Sequence, residues 1–139
     1  MSIYKNTRRD HAKHTYGVYR QLRDIPVDDC NDWKIIMLFH ASYHHILAAL
    51  FPLGLQVEGT IYEYKDLTHM RMHHNPNSLT AYKYVDWLID ERLRAIHDDF
   101  SLLRDLSWSA RYRTHSTNPA TVQQCEDSYK RIEAFCITK

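Results

Sequence analysis

The stretch AYKYVDWLIDERLRAIHDDFSLLRDL, residues 81 to 106, decides the fold. Its apolar positions Val85, Ile89, Leu93, Ile96, Phe100 and Leu103 recur at steps of three and four, the stripe of a helix and not the alternation of a strand. Between Asn75-Pro76 and Thr114 no breaker interrupts it. A single helix over 78–113 would be about 54 Å long, whereas a compact chain of this size has a radius of gyration of roughly 14 Å. The helix is therefore expected to bend or break near Ile89 to Arg92.

Working outward, residues 3 to 23 set Tyr16, Tyr19 and Leu22 beside Lys5, Arg8, Arg9 and Lys13, which reads as an amphipathic first helix. Pro26 ends it, and Asp28, Asp29, Asn31 and Asp32 supply capping and first-turn residues for a second helix that runs to about Phe51 and stops at Pro52 and Gly54. Residues 52 to 68 read as an irregular connection with an extended segment at 60–64, followed by a short helical turn around 68–74. Asn118-Pro119 opens a last helix, an N-cap followed by proline at the first helical position. That helix buries Val122, Cys125, Tyr129, Ile132 and Cys136. Only three Gly and four Pro occur in 139 residues, so the expectation is one all-α domain over 1–139, an up-and-down bundle of four to five helices.

Lys and Arg (18) nearly balance Asp and Glu (17), so no global charge draws the chain to nucleic acid or to an acidic membrane, and any such contact must be local. Cys30, Cys125 and Cys136 form no CxxC spacing, and eleven helical residues hold the last two about 16 Å apart, beyond disulfide reach. The start lacks the apolar run of a signal peptide, and nowhere is there a membrane-length one. A cytoplasmic, membrane-free protein is expected.

Ten histidines remain to be explained. FHASYHHILAAL, residues 39 to 50, holds three of them; a helical wheel sets His40 and His44 on one face and turns His45 away. With the second i,i+4 pair His69 and His73, His40 and His44 could form a metal site between helices. No Glu accompanies either pair as HExxH or ExxH chemistry requires. The bland alternative makes the histidines hydrogen-bonded core or interface groups. Near the start, Arg9 and His14 stand five apart with Tyr16 following, where an arginine could hold a phosphate while an imidazole moves a proton. Ser107 and Arg111 lie one turn apart on one face, a small polar site; Arg111 and Arg113 also suit a helix C-terminus.

Three stretches together resemble HEPN domains (higher eukaryotes and prokaryotes nucleotide-binding). DWKIIMLFHASYHHILAAL is similar to the second helix of that family, with Trp33, Phe39, Ala41, His44 and Ala48 on its positions and His40 where an aromatic is usual. DLTHMRM matches its serine-histidine stretch at Thr68 and His69, although Arg71 follows His69 by two residues where the family has three. IHDDFSLLRDLSWSARY resembles its closing helix through Phe100, Leu103, Ser107, Ala110, Arg111 and Tyr112. The resemblance spans about residues 10 to 113. It implies a dimeric helical bundle working on RNA or nucleotides, in many members as a metal-independent ribonuclease or toxin of a defence or toxin–antitoxin system, often beside a nucleotidyltransferase partner.

The family's ribonuclease signature is an arginine, four to six residues, then a histidine late in the bundle. Arg111 to His115 has only three between, and Arg9 to His14 has the spacing but lies in the first helix. The resulting expectation is an RNA- or nucleotide-binding site built from His44, His69, Ser107 and Arg111, with Arg9 and His14 as the weaker pair and no cofactor. In its enzymatic form His44 or His69 is the base and Arg111 the phosphate clamp. The alternatives are a metal-binding bundle using His40, His44, His69 and His73, and a dimeric interaction module without chemistry.

Overall fold

The computed structural model describes residues 3–25, 30–112 and 118–139. Six helices and one hairpin follow in order: α1 (Ile3–Arg23), α2 (Asn31–Leu50), β1 (Leu53–Val57), β2 (Thr60–Tyr64), α3 (Leu67–His73), α4 (Ala81–Arg92), α5 (His97–Tyr112) and α6 (Pro119–Cys136). The periodic stretch breaks, just past the expected Ile89–Arg92 segment. α4 ends at Arg92, a 3-10 turn spans Arg94–Ile96, and α5 begins at His97. Val85, Ile89, Leu93, Ile96, Phe100 and Leu103 all lie buried on the two sides of that break.

α2 is the centre of the bundle, packed against α1, α5 and α6. Enclosure on three sides explains why Ile35, Leu38, Phe39, Ala41, Ile46 and Leu47 are all sealed from water although they do not share one face. Phe39 meets Phe100 of α5 at 5.9 Å between ring centroids and Tyr82 of α4 at 5.6 Å. Each such side chain contributes roughly 1.5–3 kcal/mol by leaving water. α6 starts as its sequence indicates, with the Asn118 side chain accepting from the Thr121 N–H at 2.9 Å and Pro119 in the first turn.

Two expectations change. The helices number six among the described residues, not four to five, and the connection after α2 is not irregular. β1 and β2 pair antiparallel, with Val57 opposite Thr60 and Leu53 opposite Tyr64. Glu58 and Gly59 make the two-residue turn, both at positive φ (50° and 83°), the backbone that a tight right-twisted hairpin requires. Only 60–64 read as extended, because Pro52 and Gly54 read as the stop of α2; LGLQV alternates as well, with Leu53, Leu55 and Val57 on its more buried side and Gly54 and Gln56 exposed. Pro26, Asp28, Asp29, Arg113 and His115 lie outside the described residues. No helix among those described is long and apolar enough to cross a membrane.

Candidate functional site

α2 presents His40, Tyr43 and His44 along a half-buried face. His44 is met from α1: an Arg8 guanidinium N–H donates to its Nδ1 at 3.1 Å, and the His11 ring stands edge-on at 5.2 Å. Arginine can only donate, so neutral His44 carries its proton on Nε2 and its lone pair is spent on Arg8. Burial first, then the Arg8 and His11 charges, push its pKa down to about 4. The imidazole is neutral at physiological pH but a poor base, its acceptor nitrogen occupied.

His69 sits elsewhere, at the start of α3. Its backbone N–H donates to the Asp66 carboxylate at 2.8 Å, and its Nδ1 accepts from the Lys65 N–H at 3.2 Å. Here too the neutral ring is left with a proton on Nε2. The ring packs edge-on to Tyr64 and His73, centroids 5.4 and 5.1 Å away, and lines a crevice of about 460 Å³ between the hairpin and α3.

Arg111 belongs to a third place, a cavity of about 590 Å³ between α4 and α5. Phe39, Tyr82 and Trp108 form its apolar wall; Lys83, Asp86 and Arg104 share the polar side with Arg111. Asp86 is already bound, to Arg104 at 2.9 Å and His97 at 3.1 Å. The Arg111 Nε, by contrast, is buried without a hydrogen-bond partner. Its charge reaches His40, whose pKa is lowered by burial first and by Arg111 second. Ser107, one turn before Arg111, is fully buried, its hydroxyl also lacks a partner, and it does not line the cavity.

His44 and His69 are thus held by different partners, Arg8 and the Lys65 N–H, and Arg111 lines a cavity that neither of them lines. Arg9 lies on the opposite flank of α1 beside α6, with a guanidinium N–H 3.5 Å from the Ile137 carbonyl, and His14 is exposed. The two histidine pairs do not form a common ligand set: among the described residues no group of three or more His, Cys, Asp or Glu side chains is placed to hold a metal ion. His69 would have to give up its Lys65 bond to re-form the lone pair at Nε2 that a ligand needs.

Sequence reasoning missed Trp108, Arg104, Tyr82 and Lys83. A local signal existed for two of them, since 104, 108 and 111 fall on one helical face. Arg8 had none, being 36 residues from His44. No protein-family model matches the chain, and neither a curated protein nor a solved structure does. The HEPN resemblance accordingly rests on the three quoted stretches.

Proposed function

We propose that the chain binds RNA or a nucleotide in the α4–α5 cavity, as an HEPN-like protein that holds its ligand without cleaving it. Arg111 carries this reading. A guanidinium whose Nε is buried and unpartnered, at the wall of a cavity with aromatic sides, has donors to offer a phosphate and a surface beside it on which a base can stack. Trp108 keeps 43% of its surface exposed there, and Lys83 adds a second cation at the rim. Each stacked base is worth about 1–3 kcal/mol. The binding form is favoured over the ribonuclease form because His44 and His69 both have Nδ1 engaged and neither lines the Arg111 cavity. The homodimer and the nucleotidyltransferase partner come with the resemblance and stand as part of the same proposal.

The test is a fluorescence titration with AMP and with a short single-stranded RNA, at stated salt. Saturable binding is expected, weakened about tenfold or more by Trp108→Ala and by Arg111→Gln. Absence of binding by folded protein, or affinities indifferent to both substitutions, would defeat the proposal.

A further inference from the structure

On the other flank of the molecule a cavity of about 400 Å³ opens between α1 and α6, with α2 as its floor. Asn6, Arg9, Asp10 and Lys13 of α1 and Glu133 of α6 line it, and His45 forms part of the wall from α2. His45 is only 2% exposed. Its tautomer follows from its neighbours: Tyr129 donates its one hydroxyl proton to Glu133 Oε2 at 3.0 Å. The Tyr129 oxygen, 3.2 Å from His45 Nε2, can then only accept, and Glu133 Oε2 lies 3.5 Å from the same nitrogen. Nε2 therefore carries the proton and Nδ1 the lone pair. No described group bonds Nδ1. A buried ring fixed in one tautomer, with its acceptor unused at a polar cavity, is an unfilled half of a hydrogen bond.

The charges around it have a definite chemistry. Arg9 and Lys13 offer donors, as does the Asn6 amide, while Asp10, Glu133 and His45 Nδ1 offer only acceptors. A fully ionised oxyanion such as sulfate could use the donors and would be repelled by the two carboxylates. A phosphate that keeps one proton can use both, its anionic oxygens meeting the cations and its P–OH meeting an acceptor. Burial above all, and then the Arg9 and Lys13 charges, lower the His45 pKa against the opposing pull of Glu133. The ring is kept neutral, in the state that accepts.

We propose that this cavity binds a protonated phosphate group, free or as a monoester, with Lys13 and Arg9 holding its oxygens and His45 Nδ1 accepting its hydroxyl hydrogen. The site is independent of the α4–α5 cavity and stands or falls apart from it.

The test is calorimetric titration of the full chain near neutral pH with inorganic phosphate, glycerol phosphate and sulfate. Phosphate should bind saturably and sulfate at least about tenfold more weakly, the discrimination that unmatched buried acceptors impose. Lys13→Ala should weaken phosphate about tenfold, and Asp10→Asn should narrow the gap between phosphate and sulfate. Both residues are exposed, so neither variant depends on refolding a core, as His45→Gln would. Glycerol phosphate binding as tightly as phosphate identifies a monoester site; markedly weaker binding identifies a free-ion site. Sulfate binding as well as phosphate, no phosphate binding by folded protein, or phosphate binding lost with Arg111→Gln and kept with Lys13→Ala would overturn the proposal.

Discussion

Glu126 is 3% exposed, a carboxylate closed into the α1–α6 interface. Its Oε1 accepts from the Tyr16 hydroxyl at 3.0 Å and from Arg23 at 2.9 Å, and its Oε2 from the Tyr19 hydroxyl at 2.8 Å. Replacing Glu126 with Gln keeps the shape and leaves one acceptor oxygen for three donors. With the amide nitrogen in the Oε2 position, the fully buried Tyr19 hydroxyl loses its acceptor; in the Oε1 position it opposes Tyr16 and Arg23. Arg23 is 37% exposed and can turn to water, so its share is discounted to under about 1 kcal/mol. An orphaned buried hydroxyl costs about 1–3 kcal/mol. Together these give a destabilisation of ~1–4 kcal/mol, a large part of the roughly 5–15 kcal/mol that holds an ordinary domain together.

Urea unfolding of wild type, Glu126→Gln, Tyr19→Phe and the double variant measures this directly. Because the two side chains share one bond, the double variant should cost less than the sum of the singles by about 1 kcal/mol. Acid unfolding adds an independent reading. Burial opposes ionisation of Glu126, but the Tyr19 and Tyr16 hydroxyls, then Lys130 and Arg23, outweigh it and hold the carboxyl below its ordinary value. Below about 4.3 the unfolded chain takes up a proton that the native site refuses. The stabilisation is therefore complete above that pH and is lost as pH falls through the native pKa. Glu126→Gln should remove that part of the acid sensitivity. A Gln variant within about 0.5 kcal/mol of wild type, or single effects that simply add, would refute the account of this node.

His44 should titrate near 4 by NMR, and Arg8→Gln should raise that value while leaving it under 6.5, since burial is the larger cause; a value unmoved by the substitution would remove Arg8 from the site. Over that range the unfolded chain binds the extra proton, so His44 contributes stability that is full above about 6.5 and declines toward pH 4. Asn118→Ala, which deletes the α6 cap, should lower stability by about 1 kcal/mol in a denaturant titration, and Asn118→Gly by only a few tenths.

What could be read from the chain, and what could not, divides by distance along it. The break between α4 and α5 follows from a stripe and a length, and the α6 start from two adjacent residues; both signals are local, and both elements stand where they point. The wheel of α2 separated His45 from His40 and His44 correctly. It could not say which side faces the core, because a helix packed on three sides has apolar residues nearly all round and no single buried face to orient by. His45 is the buried one, and Trp33, on the side of His40 and His44, is 57% exposed. Beyond burial, a histidine's chemistry depends on which ring nitrogen its neighbours occupy. For His44 that neighbour is 36 residues away and takes the lone pair; for His45 it is 84 residues away and takes the proton side, leaving the lone pair open. Adjacent histidines with the same local sequence therefore end with opposite capacities. His44 is left with a donor and His45 with an acceptor, so the residue that the HEPN resemblance singles out is not the one equipped to accept a hydrogen bond.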